Sequence, residues 1–202
     1  MKTIGSNFII QVDRDTAFDR MEWGFIINVM REFRFSEVAR DLIFRCYSML
    51  WIALSFMGKS LGFFMTVRGL KQGSSISPSL FIISPDSLSR KIMKGLEEGI
   101  FLPYKTRSGD NIISHIIFTD DILLFLNVRL KYINGTNKIM KYYVSLSGQR
   151  VNQGKNKVYF SRKCSERHNR TIQCILGMQR RNLPMDYLGD PISDGGIKKY
   201  MF

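Results

Sequence analysis

Residues 112–126 read IISHIIFTDDILLFL, two apolar runs separated only by Thr119, Asp120 and Asp121. Ile112–Phe118 and Ile122–Leu126 have the length of strands, and runs this nearly all apolar predict strands buried on both faces. The interval between them predicts a tight turn, so two acids are held where buried strands meet. Acidic side chains seldom sit beside a core unless something pairs with them. Neighbouring carboxylates stay ionised together only when cations offset their repulsion. Mg²⁺ does this, taking one or two carboxylates and completing its shell with water and substrate phosphates. A solvated Asp-Asp hairpin turn is the alternative reading.

Asp13 follows a third apolar strand, NFIIQV at 7–12. If that strand lies beside the 112–126 hairpin in one sheet, Asp13 and Asp120 meet at the same end. Three carboxylates there would hold two Mg²⁺ ions about 3.5–4 Å apart, the arrangement that stabilises attacking and leaving oxygens in phosphoryl transfer.

The remaining elements follow from periodicity and capping. Met21, Phe25, Ile26, Val29, Met30 and Phe33 recur at helical spacing over 19–33. Ser36 is an N-cap for a second helix whose apolar stripe reads Val38, Leu42, Ile43 and Cys46. Strands are expected at 52–57 and 63–67, joined by a turn over Gly58–Gly62. Ser77-Pro78 starts a helix running to about Leu96, and Pro85 inside it predicts a kink or a break. Residues 131–146 predict a helix weakened by Gly135 and ended by Gly148, followed by a short strand over 158–160. Arg167–Leu176 predicts a basic helix closed by Gly177, and Leu183–Ile192 a hairpin arm.

The 202 residues carry a net charge of +13, with 45 % hydrophobic and 23 % charged residues. These proportions exclude a disordered tail and favour a polyanionic partner such as nucleic acid. The longest apolar run, Met49–Leu54, is far short of a membrane span, and the N-terminus lacks the apolar region of a secretory signal. Cys46, Cys164 and Cys174 are odd in number and lack metal-ligand spacing, which predicts free thiols, no disulfide partner and an intracellular protein, nuclear or cytoplasmic. Three cysteines and the scattered His115 and His168 supply no structural zinc site.

Five blocks in fixed order resemble the palm of a reverse transcriptase from a plant-type non-LTR (LINE) retrotransposon. They are DRDTAFDRMEW at 13–23, RGLKQGSSISP at 68–78, ISHIIFTDD at 113–121, SGQRVNQGK at 147–155 and LPMDYLG at 183–189. The resemblance implies an α+β polymerase palm, an antiparallel sheet with helices packed on one face. It implies RNA-directed DNA polymerase activity, with a primer 3′-OH attacking the α-phosphate of a deoxynucleotide. Asp13 and Asp120 would be the main metal ligands, with Asp121 completing the cluster around two Mg²⁺ ions, Mn²⁺ being the alternative. Phe18 would lie under the sugar and exclude a ribose 2′-OH; core packing is its bland alternative. Gln72 and Gly73 would line the incoming nucleotide, and Lys155 would protonate the departing pyrophosphate unless it is simply exposed. Asp19, Arg20 and Glu22 read as capping and pairing residues, and His115 as structural. RNA template, DNA primer and dNTP are the implied partners, with no membrane.

The chain departs from the family pattern at several points. Thr119 stands where a small residue is usual, Ser74 and Ser75 replace an acid and a proline, Pro85 replaces a helix former, and Asn156 replaces a small hydroxyl residue. Residues 1–162 are assigned to the palm and 163–202 to the start of a truncated thumb or connection region. With the fingers expected to be missing, the isolated chain is expected to be a degenerate polymerase, weakly active or inactive. A non-catalytic nucleic-acid-binding remnant is the alternative function.

Overall fold

The run NFIIQVDRD forms β1 (Asn7–Asp15), the central strand of the main sheet in a computed structural model of the chain. The structure describes residues 7–100, 102, 113–127, 129–161 and 164–193. After β1 come α1 (Trp23–Glu32), α2 (Glu37–Ser48), a hairpin of β2 (Trp51–Phe56) and β3 (Lys59–Met65), and α3 (Ser77–Glu97). Then follow β4 (His115–Phe118), β5 (Asp121–Asn127), α4 (Leu130–Ser147), β6 (Arg150–Val151) and β7 (Lys157–Phe160). The chain continues with α5 (Glu166–Leu176), β8 (Gln179–Asn182), β9 (Met185–Tyr187) and β10 (Asp190–Ile192). Two compact units result: residues 1–14, 91–140 and 151–202 form the first, and 15–90 with 141–150 the second. The boundary assigned at 162/163 lies outside the described residues.

The first unit holds a sheet of order β4-β5-β1-β7-β8, with β6 also paired to β1. β1 runs antiparallel to β5 and β7, as β4 does to β5. The class is α+β, as the sequence predicts, but the sheet is not wholly antiparallel. β8 runs parallel to β7, because α5 between them carries the chain back to start in the same direction. Alternate residues fill both faces. Phe8, Ile10 and Val12 stand with Ile122, Leu124 and Leu126 on one. On the other, Ile9, Leu123, Phe125 and Tyr159 pack under Met185 and Tyr187 of the β9–β10 hairpin. β5 is therefore buried throughout. β4 is not: Ile116 and Phe118 are 37 % and 50 % exposed. The expectation of two fully buried strands fails there because β4 is the edge of the sheet. Ile112 lies outside the described residues.

Gly135 does not weaken α4 without reason. A Cβ there would stand 2.5 Å from the Ile100 carbonyl oxygen, so glycine is what lets that segment approach the helix.

In the second unit α1 buries Phe25, Ile26, Val29 and Met30, the spacing expected of it. Ser36 caps α2, its hydroxyl accepting from the Ala39 N–H at 3.2 Å. The predicted α2 stripe is corrected. Ile43 is buried, but Val38 and Leu42 are 79 % and 60 % exposed and Cys46 is exposed. The covered side is Ile43 with Tyr47, one turn apart, and the Tyr47 hydroxyl shares a 2.8 Å hydrogen bond with Ser77 Oγ. α3 continues through Pro85 without a break. Pro85 has no N–H to contribute to the helical ladder, a cost of about 3 kcal/mol. Burial of Leu80, Phe81 and Leu88 along the helix offsets that cost, at about 1.5–3 kcal/mol per large side chain. The β2–β3 hairpin forms its own two-stranded sheet, with a register shift at Leu54/Ser55.

Two substitutions check this packing. Gly135→Ala, which helix propensity alone would favour by about 1 kcal/mol, is expected instead to lower stability by about 1–3 kcal/mol in urea titration. Ile43→Ala is expected to cost about 2–4 kcal/mol, whereas Leu42→Ala stays within about 0.5 kcal/mol.

Candidate active site

In the first unit the β1–β5 register sets Asp13 opposite Asp121. Side chains directly opposed on neighbouring antiparallel strands have Cβ atoms about 4.5–5.5 Å apart, and like charges so placed destabilise. Asp120 occupies the β4–β5 turn and is exposed. Arg14, buried beside that turn, shapes it. Its backbone N–H and its Nε both donate to the Asp120 carbonyl, at 3.0 and 3.4 Å, and Nη2 donates to the Thr119 carbonyl. A buried guanidinium must find acceptors, and here the turn carbonyls supply them. Thr119 adopts φ +44°, in the left-handed region.

The fourth sequence block pins Asp13 from the far side. Asn156, 2 % exposed, accepts the Asp13 N–H at 3.0 Å through Oδ1, and the Asn152 N–H donates to the Asp13 carbonyl at 2.9 Å. Lys155 Nζ lies 3.7 Å from Asp13 Oδ2. That lysine is largely exposed, so the pair adds little stability, but it places a proton donor beside the carboxylate. Gln11, two residues before Asp13 and on the same strand face, hydrogen-bonds the Asp121 side chain. The Tyr159 hydroxyl donates to Gln11 Oε1 at 3.2 Å, which orients the amide with its N–H₂ free to face the acid. Gln11, Arg14, Asn156 and Tyr159 were not singled out as site residues. The polar Gln11 at period two from Asp13, in an otherwise apolar strand, is the signal that points to one of them.

Burial pushes the Asp121 carboxyl above its ordinary range; Asp13 opposite and Asp120 beside it push the same way, while Gln11 and Arg14 act against them. Among the described residues the buried Tyr187 hydroxyl has no hydrogen-bond partner, and it lies within the electrostatic reach of Asp121. Crowded negative charge and an orphaned hydroxyl fit a hard divalent cation with its water shell, for which Asp13 and Asp121 are suitable donors. Among the described residues, however, no group of three or more acidic, histidine or cysteine side chains converges closely enough to hold a metal ion. The register brings Asp13 and Asp121 together; it does not gather Asp120 with them into one three-carboxylate site.

Phe18, Gln72 and Gly73 belong to the second unit. Phe18 stacks on Phe81 with centroids 4.1 Å apart and an interplanar angle of 17°. Gln72 Nε2 donates to Asp19 Oδ1 at 3.0 Å, and Gly73 adopts φ +82°. The first two sequence blocks are joined backbone to backbone: the Gly69 N–H donates to the Met21 carbonyl at 2.8 Å and the Leu70 N–H to the Phe18 carbonyl at 2.9 Å. Trp23 Nε1 adds a bond to the Gly69 carbonyl at 2.8 Å. Gly69 is required for this approach, because a Cβ would lie 2.6 Å from the Asp19 carbonyl oxygen. The result is a cavity of about 570 Å³, lined by Asp19, Trp51, Arg68, Lys71 and Gln72 among others. Two cations, an aromatic wall and an amide are the groups that recognise a phosphorylated, base-bearing ligand. Cys46, Cys164 and Cys174 are free thiols. Among the described residues no helix is long and apolar enough to cross a membrane.

The chain matches the model of the family described as "Reverse transcriptase (RNA-dependent DNA polymerase)" over residues 1–192. It is 26 % identical over 154 residues to the "Retrovirus-related Pol polyprotein from type-2 retrotransposable element R2DM" of Drosophila melanogaster, covering 76 % of this chain and 14 % of that protein. It therefore spans about a seventh of that relative's length. An apo telomerase from Candida tropicalis, truncated from its C-terminal domain, superposes with TM-score 0.60 at 15 % identity, over 80 % of this chain and 32 % of that one. Telomerase from Candida albicans, in complex with a TWJ fragment of telomeric RNA, gives 0.61 at 14 % identity, over 93 % and 29 %. These two likenesses show a fold, the α+β architecture of a polymerase palm.

Because Asp121 is held above its ordinary carboxyl value of 3.8, its folded form binds a proton more tightly than its unfolded form. That contribution to stability is complete below 3.8 and is lost as pH rises through the folded pKa. Asp121→Asn is therefore expected to raise the melting temperature at pH 7 in metal-free buffer. The advantage shrinks as the pH falls toward 3.8. Equal advantage at both pH values would contradict a raised Asp121 carboxyl.

Proposed function

The chain belongs to the reverse transcriptase (RNA-dependent DNA polymerase) family, and from that premise we propose that it is the palm of a plant-type non-LTR (LINE) retrotransposon polymerase. The palm is assigned to residues 1–162 and the beginning of the thumb or connection region to 163–202. The observation that carries the reading is the Asp13–Asp121 pair across β1 and β5, with Asp120 at the adjoining turn.

The proposed reaction is attack of a primer 3′-OH on the α-phosphate of a dNTP opposite an RNA template, with pyrophosphate as the leaving group. Mg²⁺, or Mn²⁺ in its place, bound as two ions by Asp13, Asp120 and Asp121, would supply charge neutralisation for the attacking and leaving oxygens. Lys155 would hand its proton to the departing pyrophosphate, and its position 3.7 Å from Asp13 supports that role. Phe18, immobilised by its stack on Phe81, would bear on the sugar and exclude a ribose 2′-OH. Gln72 and Gly73 would line the nucleotide, with Arg68 and Lys71 of the same cavity attracting its phosphates. The net charge of +13 suits an RNA template and a DNA primer.

Catalysis by this chain alone is proposed to be weak. Lys155 engages an acid that must also serve as a ligand, and Asp120 is not gathered with its neighbours. Primer extension on an RNA template is expected at a low, Mg²⁺-dependent level and should disappear in Asp120→Asn. Primer–template binding should survive in that variant and fall steeply with salt. Binding without any extension or Mg²⁺ uptake would identify the non-catalytic remnant instead. Absence of salt-dependent binding would remove both readings.

A further inference from the structure

Two acids of the first sequence block, Asp19 and Glu22, stand near the cations of the second unit and are used differently. Glu22 Oε1 lies 3.6 Å from Arg68 Nη1. Asp19 instead accepts a hydrogen bond at Oδ1 from Gln72 Nε2, at 3.0 Å. Both residues are exposed, and a contact between two exposed, mobile side chains adds little by itself. Here the main chains that carry them cannot part. The Leu70 N–H bonds the Phe18 carbonyl at 2.9 Å and the Gly69 N–H bonds the Met21 carbonyl at 2.8 Å, so the clamp holds the chain on both sides of Asp19. The Asp19 N–H is tied back to the Thr16 carbonyl at 3.1 Å. Its carbonyl oxygen lies only 2.6 Å from where a Gly69 Cβ would stand. The two side chains thus leave joined backbones already within reach of each other.

We propose that Asp19 is a positioning residue for the nucleotide, fixing the Gln72 amide so that Oε1 faces the cavity of about 570 Å³ as an acceptor. This role rests on the nucleotide reading of that cavity. An ionised carboxylate only accepts hydrogen bonds, whereas an amide has a donor end and an acceptor end that can exchange places. Bonded through Nε2 to Asp19, Gln72 cannot turn over, and its Oε1 and second N–H are left for a ligand. The neighbouring lining groups Arg68 and Lys71 can only donate. A nucleotide needs both kinds of partner. Its phosphates take donors, and a sugar hydroxyl or base N–H takes an acceptor. The carboxylate carries a cost, because its charge opposes that of an incoming triphosphate. Positioning and plain charge therefore predict opposite signs when Asp19 is replaced.

The two tryptophans report on the site, since Trp51 lines the cavity and Trp23 bonds the Gly69 carbonyl. Their fluorescence is followed as the full chain is titrated with dTTP in Mg²⁺ buffer at fixed ionic strength. Asp19→Leu is expected to weaken binding about three- to tenfold, the worth of one hydrogen bond, and Gln72→Ala by a similar factor. Asp19→Asn loses the same charge but keeps an acceptor, and is expected within about twofold of the native chain. Adding Asp19→Leu to Gln72→Ala should change nothing further. In the native chain, nitrogen-15 relaxation should show the Gln72 side-chain amide more ordered than those of the exposed Gln153 and Gln179, a measurement that needs no variant to fold. Tighter binding in both Asp19 variants alike, additive losses in the double variant, or a Gln72 amide as mobile as the other two overturns the role. Binding that requires Gln72 but not Asp19 overturns it as well and leaves the nucleotide reading standing. No binding of dTTP by the native chain, or binding that Gln72→Ala leaves intact, removes that reading and this role with it.

Discussion

The antiparallel ladder between β1 and β5 forces Asp13 against Asp121. Both strands are buried on both faces, so neither can slip by a residue without turning its apolar set outward. The pair is thus held by the core, whatever the two charges prefer. Burial raises the Asp121 carboxyl, repulsion from Asp13 and Asp120 adds to it, and Gln11 and Arg14 act against both. Arg14 fixes the turn by its carbonyls, Asn156 and Asn152 fix the backbone of Asp13, and Gln11, itself oriented by Tyr159, donates to Asp121. Like charges held side by side by the core are suited to a cation.

The second unit solves a different problem, which is to join two stretches nearly fifty residues apart in the chain. Backbone bonds from Gly69 and Leu70 to Met21 and Phe18, with Trp23 capping the Gly69 carbonyl, clamp the 68–73 turn beside the first motif. Glycine at 69 is what lets the two backbones meet. The cavity beside this clamp is lined by Trp51, Arg68, Lys71 and Gln72 among others. That combination suits a ligand whose phosphates are recognised by charge and whose base is recognised by shape.

Stability and exposure are unevenly shared. The sheet of the first unit is filled on both faces, whereas the β2–β3 hairpin and the outer side of α2 display large apolar side chains. Val38 and Leu42 on α2, like the hairpin, are apolar without being core. Hydrophobicity alone does not say which surface a side chain will meet, since folding buries only what the topology encloses.

Local pattern was enough for the strands around the acids, for α1 and its buried stripe, for the Ser36 cap, and for a tight turn, which holds Thr119 and Asp120 while Asp121 already belongs to β5. Each of these depends on residues within a few positions of one another, where periodicity and capping chemistry act directly. Five ordered blocks likewise sufficed for the reverse transcriptase family. Long-range pairing decided the rest. It made β4 an edge, set β8 parallel through the α5 crossover, turned α2 onto Ile43 and Tyr47, and carried α3 through Pro85. It also chose Asp121 rather than Asp120 as the neighbour of Asp13, because register in a sheet is set by which faces the whole core can bury, a sum over contacts that no short window contains.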